Sequence, residues 1–346
     1  MKKTRVAING FGRIGRQFYK LALERPELEV VAVNDLADIN NLAYLLKYDS
    51  AQGKFEADIK IHEGDTPSLE VNGNKVQFLS EKDPSQLPWG EDKLNIDIVV
   101  ESTGFFTSYE GSKAHLDAGA RRVVISGPVK GEAPEGINGA TVLMGVNEEK
   151  LQTCEISSNA SCTTNAGGPL MQILEETVGI EKAMLNTVHG YTSTQRTVDL
   201  PMPKDFRRGR AAAVNIIPTT SGAAIATTLA IPGLKDKFDG MAVRVPVVVG
   251  SIVDITFVAK RDTTAEEIND AFRKAAKEER WNKTFAITEE PIVSSDIIGS
   301  KYASIADLAF TKVVGGNLVK VLAWYDNEMG FTNALVEHVI ASGKHI

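Results

Sequence analysis

The heptapeptide "NGFGRIG" at residues 9–15 constrains the fold of this chain more than any other feature. It sets Gly10, Gly12 and Gly15 in a G-x-G-x-x-G spacing between a β-type run, "RVAIN" at 5–9, and a stretch of helical character at 15–24 that Arg25-Pro26 ends. Glycines so spaced permit a tight bend, close approach of the backbone to a pyrophosphate, and close helix–strand packing. A second strand, "LEVVAVND" at 28–35, closes on Asp35, where a carboxylate can accept from both hydroxyls of a ribose. Strand, turn, helix and acidic-ended strand make a βαβ unit of the dinucleotide-binding kind, with Arg13-Ile14 at the helix start facing the pyrophosphate. A carboxylate at Asp35 repels a 2′-phosphate, so the pattern predicts NAD rather than NADP. The bland alternative is a glycine-rich turn with an incidental aspartate.

Strand-like runs at 96–100 and 122–126, with a helical stretch near 109–118, continue the parallel α/β pattern to about residue 126. A length of 346 residues exceeds one ordinary core and predicts two domains, which the 43% hydrophobic content can fill. After residue 165 the pattern changes: a helix at 167–178, alternating strands at 241–245 and 251–260, a helix at 264–279, and β-rich sequence to 324. The fold class expected is therefore α/β plus α+β, a Rossmann-type NAD-binding domain followed by a catalytic domain built on a mixed or antiparallel sheet. Residues 190–213 lack sustained periodicity and run long for a connection, which predicts a functional or interface loop.

A net charge of −7 argues against non-specific binding to nucleic acid or to an anionic membrane, both of which need a cationic field. The only two cysteines, Cys154 and Cys162, offer neither a disulfide framework nor a metal knuckle, so the expectation is a reducing, cytoplasmic setting and no metal site. The short apolar run at the N-terminus does not read as a signal peptide, and no stretch has membrane length.

Cys162 lies in "SSNASCTTN" at 157–165, a polar turn entering a helix, where unpaired N–H groups and the positive end of the dipole favour a thiolate. An imidazole beside it could take the thiol proton. His62 sits in a charged stretch, His115 on a helix of the nucleotide domain, and His338 and His345 near the C-terminus, whereas His189 ends an apolar strand and enters a polar loop. Spacing alone leaves two readings equally open: a Cys162–His189 pair, or a buried structural cysteine and a hydrogen-bonded surface histidine. Arg207, Arg208 and Arg210 cluster in an acidic protein, Arg196 lies upstream, and Arg244 is the lone charge of the strand "MAVRVPV". With Thr163, Thr192, Ser221 and Gly222 as short donors they could hold a phosphate, although ordinary salt bridges explain any single arginine as well.

The stretches "AINGFGRIGR", "LLKYDSAQGKF", "SNASCTTN", "HGYTSTQR", "DFRRGRAAAVNIIPTTSGAA" and "WYDNEMGF" together resemble the phosphorylating glyceraldehyde-3-phosphate dehydrogenases, in order and over essentially the whole chain. The resemblance implies an NAD-binding domain of residues 1–161 with 328–346, and a catalytic domain of 162–327. It implies Cys162 as nucleophile, His189 as its base, and Thr192 and Arg244 on the C3 phosphate of glyceraldehyde 3-phosphate. Ser161, Thr163, Arg208, Ser221 and Gly222 would surround the inorganic phosphate. Asn327 would bind the nicotinamide carboxamide, with Lys82, Thr103 and Ser126 as further NAD contacts beside Asp35, and a homotetramer would be the working form. Erythrose-4-phosphate dehydrogenase is the enzymatic alternative, and a non-catalytic NAD- or RNA-binding protein the remaining one. The segment after "RVP", Ile225, Met329 and Phe331 depart from the family's usual residues.

Overall fold

The computed structural model describes every residue except Met1, Asp92 and Lys204. The chain divides into two compact units: Met1–Val142 with Glu148–Ala160 and Leu335–Ile346, and Leu143–Asn147 with Ser161–Ala334. The expected division at 161/162 and 327/328 differs from this in three places. Residues 143–147 and Ser161 group with the second unit, and the C-terminal helix changes unit at 334/335.

The first unit is a nine-stranded sheet. Its strands are β1 (Thr4–Asn9), β2 (Leu28–Asn34), β3 (Ile59–His62), β4 (Ser68–Val71), β5 (Asn74–Leu79), β6 (Ile98–Glu101), β7 (Arg122–Ile125), β8 (Gly139–Thr141) and β9 (Ile156–Ser158). Their order is β8-β9-β7-β6-β1-β2-β5-β4-β3, parallel from β8 through to β5 and antiparallel beyond. Central strands covered on both faces read as unbroken apolar runs, and Val6, Ala7, Ile8, Ile98, Val99 and Val100 are fully buried. The parallel pattern thus runs to Ser158, well past residue 126. The short strands between 59 and 79 escape sequence reading because each is only a few residues long and interleaved with polar side chains. Helix α1 (Arg13–Ala22) buries Phe18, Tyr19 and Leu21 against this sheet; α2 (Ile39–Lys47) and α3 (Tyr109–Asp117) are capped by Asp38 and Ser108.

The second unit carries a seven-stranded mixed sheet. Its strands are β10 (Ile180–Gly190), β11 (Ile217–Thr220), β12 (Phe238–Val245), β13 (Ser251–Ala259), β14 (Phe285–Thr288), β15 (Ser304–Val314) and β16 (Leu318–Tyr325), in the order β11-β12-β10-β13-β16-β15-β14. Helices α4 (Cys162–Thr177), α5 (Ala223–Ala230) and α6 (Ala265–Ala275) pack against it. The strict alternation of buried and half-buried residues along β13 is the period-2 signature of a sheet covered on one side. Helix α4 starts at Cys162, not at 167, because Gly167-Gly168-Pro169 reads as a breaker but serves packing. A Cβ at Gly168 would lie 2.6 Å from Leu143 Cδ1.

Helix α7 (Met329–Gly343) brings His338 into the core of the first unit, where its ring touches the Ser157 hydroxyl at 2.8 Å and Asn159 Oδ1 at 3.1 Å. Burial pushes this imidazole from its ordinary 6.5 down to about 3. Between those values the unfolded chain binds a proton that the folded chain refuses, so stability is full above pH 6.5 and falls as pH drops toward 3. The loss reaches about 3 kcal/mol by pH 4. Urea midpoints measured from pH 7 to 4 should therefore fall less steeply in His338→Gln; equal slopes would place the acid sensitivity elsewhere.

Candidate active site

In the first unit the three glycines have separable steric reasons. Gly10 has φ +95°, and a Cβ there would lie 2.6 Å from the Thr103 nitrogen. A Cβ on Gly15 would meet the Gly10 carbonyl oxygen at 2.1 Å, which fixes the close crossing of α1 over β1. Gly12, the residue before α1, faces open space, so an incoming group can approach the backbone and the helix N-terminus. Beside this turn lies a cavity of about 520 Å³ lined by Gly10, Gly12, Asp35, Lys82, Thr103 and Phe105, among others. The Asp35 carboxylate is aimed by the Phe11 N–H at 2.7 Å and the Ala37 N–H at 2.9 Å, which leaves lone pairs for hydroxyl donors. Open backbone, helix N-terminus and acidic wall fit a dinucleotide.

Arg13, Ile14, Gly15 and Ser126 lie outside the lining of that cavity. The Arg13 guanidinium pairs with Asp49 at 3.0 Å, and the Ser126 N–H donates to the Glu101 carbonyl. Sequence reading missed the support beneath. Buried Glu101 accepts from the N–H and hydroxyl of Thr103 at 2.8 and 2.5 Å, and from the Asn9 amide at 2.6 Å. The Trp89 indole N–H donates to His115 Nδ1 at 3.0 Å, so Nε2 carries the proton and donates to Glu101 at 3.1 Å. His115 is thus structural, and only the sheet order brings these four segments together.

In the second unit Ser161 caps α4 by accepting from the Thr164 N–H at 3.1 Å, which makes Cys162 the first helical residue. Cys162 Sγ lies 3.3 Å from His189 Nε2. Parallel pairing of β10 with β12 sets His189 level with Arg244, whose Nη1 reaches His189 Nδ1 at 2.6 Å and donates to the Gly190 carbonyl at 2.9 Å. Of the two readings left open by spacing, the structure therefore has the pair. Tyr325, absent from the sequence candidates, lies edge-on to the His189 ring, its hydroxyl bonded to Thr163 at 2.9 Å and Thr187 at 2.7 Å. Its only sequence signal is a place at the end of an apolar strand.

The electrostatics correct one expectation. A helix start does not by itself ionise Cys162. Burial pushes the thiol above its ordinary value although the residue keeps some exposure, against the opposing pull of Arg244 and the Thr163 N–H. Burial first, and then the Arg244 charge, push His189 from 6.5 down to about 3, so burial of the two partners works against charge separation between them. Arg244 is itself costly to bury, and its Nε has no hydrogen-bond partner among the described residues.

The other expected anion-binding residues belong to the same unit, with Arg208 close enough for its charge to act on Arg244. Arg208 bonds to Thr219 at 2.8 Å and to Asp205 at 3.1 Å. The Thr192 hydroxyl contacts Thr194 at 2.9 Å, the Ser221 hydroxyl accepts from the Ala223 N–H, and Gly222 precedes α5. Asn327 accepts at its side-chain oxygen from the Gly250 N–H and the Ser251 hydroxyl. Among the described residues no group of three or more His, Cys, Asp or Glu could hold a metal ion, and no helix is long and apolar enough to cross a membrane.

A dinucleotide-binding α/β unit on one chain with a thiol–imidazole unit defines the class as NAD-dependent oxidoreductases. Residues 4–109 match the family model described as the glyceraldehyde 3-phosphate dehydrogenase NAD binding domain, and residues 161–327 match that of its C-terminal domain. The chain belongs to the glyceraldehyde-3-phosphate dehydrogenase family. It is 50% identical over 338 residues, 96% of each chain, to the glyceraldehyde-3-phosphate dehydrogenase of Clostridium pasteurianum. It is 51% identical over 337 residues to that of Thermotoga maritima, covering 96% of this chain and 97% of the relative. The corresponding enzyme of Geobacillus stearothermophilus is 48% identical over 336 residues, 96% of each chain.

Proposed function

We propose that this protein oxidises and phosphorylates glyceraldehyde 3-phosphate to 1,3-bisphosphoglycerate, with NAD as cofactor and a thioester on Cys162 as intermediate. The observation that carries the reading is the 3.3 Å approach of Cys162 Sγ to His189 Nε2, with the Arg244 guanidinium on the far side of the ring. The Cys162 sulfur adds to the aldehyde carbon, and the Cys162 N–H and His189 stabilise the hemithioacetal oxygen. His189 takes the hydroxyl proton as the carbon is oxidised. NAD, held through the Gly10–Gly15 turn, Asp35, Lys82, Thr103, Ser126 and Asn327, supplies the acceptor for the hydride. Inorganic phosphate, gathered by Ser161, Thr163, Arg208, Ser221 and Gly222, attacks the thioester, while Thr192 and Arg244 keep the C3 phosphate in place. Fixing two anions beside one carbonyl supplies rate through proximity.

A cytoplasmic homotetramer is part of the same reading. The sheet face of the second unit opposite its helices leaves Met184, Met241, Val314 and Leu318 exposed, and an apolar face of that kind supports subunit association. The test is NADH formation from glyceraldehyde 3-phosphate and NAD, with and without inorganic phosphate, beside erythrose 4-phosphate. Turnover that needs phosphate and prefers the three-carbon aldehyde is expected; phosphate-independent turnover would remove the acyl-phosphate step.

A further inference from the structure

Three neighbouring strands of the first unit end on polar residues at one level of the sheet. Asn9 closes β1, Asn34 closes β2 and Glu101 closes β6, and the register sets Asn9 opposite Asn34 on one side and opposite Glu101 on the other. All three are buried. A polar row in the centre of a parallel sheet replaces the apolar residues expected there, and it persists only if each of its groups is hydrogen-bonded.

The bonds along the row have one direction. At one end the Glu81 N–H donates to Asn34 Oδ1 at 2.8 Å, and Asn34 Nδ2 donates back to the Glu81 carbonyl at 2.8 Å. Asn34 Nδ2 also donates to Asn9 Oδ1 at 2.7 Å, and Asn9 Nδ2 donates to Glu101 Oε2 at 2.6 Å. His115, with its tautomer set by the Trp89 indole, donates to the same Oε2 at 3.1 Å, while the N–H and hydroxyl of Thr103 donate to Oε1. The row thus runs from a backbone donor to a carboxylate that only accepts. The amides of Asn9 and Asn34 are oriented from both ends.

We infer that Glu101 is a positioning residue for NAD, fixing the direction of a buried row that ties together the lining of the cofactor cavity. This rests on the cavity beside Gly10 as the NAD site. Asn9, Asn34, Glu81 and Thr103 line that cavity, and Glu101 does not. By way of Asn9, the residue before Gly10, the row joins the lining that follows β6 to the lining at Glu81 and Lys82 beside β2. On the β6 side the Phe105 N–H donates to the Thr103 hydroxyl at 3.1 Å, so Phe105 is held as well. A lining fixed before the cofactor arrives removes an ordering penalty from binding.

Only a carboxylate satisfies the row at position 101. Its Oε1 faces the Thr103 N–H, which cannot turn round, and its Oε2 faces the Asn9 amide and the His115 N–H. An amide accepts at one atom alone, so in Glu101→Gln a new NH2 group opposes a donor whichever way it turns. Moving the carboxylate next door corrects this. In the double variant Glu101→Gln with Asn9→Asp, the amide at 101 turns its oxygen to Thr103 and its NH2 to the carboxylate at 9. That carboxylate still accepts from Asn34, and it faces His115 Nε2, which lies 3.4 Å from Asn9 Nδ2 in the natural protein.

The experiment is calorimetric titration of the full-length protein with NAD, beside steady-state kinetics. Glu101→Gln is expected to weaken NAD binding about tenfold and to raise the KM for NAD with it. The KM for glyceraldehyde 3-phosphate and the rate of Cys162 alkylation by iodoacetamide are expected to stay within about twofold of the parent, a split that general damage to the fold would not produce. Asn9→Asp alone sets two carboxylates face to face and should weaken NAD at least as much. The double variant is expected to bind NAD more tightly than either single one, whereas independent losses would add and make it the weakest of the three. NAD affinity within about twofold of the parent in Glu101→Gln overturns the positioning role, as does a double variant that binds no better than the single ones or does not fold. Should Glu101→Gln alone not fold, a folded double variant that binds NAD carries the same support. Titration reads the cavity without catalysis, so failure here is distinct from failure of the acyl-phosphate scheme, which phosphate-dependent turnover of the natural protein tests.

Discussion

Cys162→Ser is expected to lower NADH formation by about 10⁴-fold or more while leaving NAD affinity within about twofold. Serine fits the same first position of α4, keeps the Ser161 cap above it, and loses only the larger, softer sulfur. Its hydroxyl holds its proton far more tightly than a thiol, and an alkoxide is not reached at neutral pH beside an imidazole that burial already holds near 3. The cofactor cavity is lined wholly by residues of the first unit, and none of its lining residues bonds to Cys162, which is why NAD binding should survive. NADH absorbance and calorimetric titration with NAD measure the two halves. Turnover within about tenfold of the parent would sink the nucleophile assignment, whereas loss of NAD binding with turnover would show that the substitution damaged the fold.

Replacement of His189 by asparagine should cost about 10²–10⁴-fold in turnover, the usual worth of a general base, with a smaller change in KM. Asparagine can still offer a donor toward Cys162 but can neither take a proton from the substrate hydroxyl nor hold one as a cation. The pH dependence should change with it. In the variant, alkylation of Cys162 by iodoacetamide should follow a thiol raised by burial, increasing steadily as pH rises through and above the ordinary thiol range. Measured in parallel, a variant whose turnover and alkylation profile both match the parent would free His189 of any part in the chemistry.

Much of the cofactor half was legible because it is written locally. A strand's apolar run, a glycine turn at fixed spacing and an acidic strand end are all short-range constraints; contacts within that unit require glycine at 10 and 15, while Gly12 leaves the backbone open. The turn at Ser161 was equally legible, since a serine side chain caps the next three residues whatever else the chain does. Helix lengths were less so. Pro169 stands inside α4, where Gly168 before it takes the side chain of Leu143 from far upstream and Gly167 that of Leu185 from β10.

By itself, then, the sequence determined the βαβ unit, the carboxylate at Asp35, the polar turn into a helix that carries Cys162, and the family to which the chain belongs. Only the tertiary structure decided which of five histidines meets that thiol, that Arg244 stands behind the ring, and that Tyr325 supports it. The physical reason is register. His189 and Arg244 are level because β10 and β12 pair in parallel with those residues opposite each other, and a slip of one residue would turn either side chain to the other face of the sheet. Pairing between strands 55 residues apart is a property of the packed sheet, with no trace in the spacing of either segment.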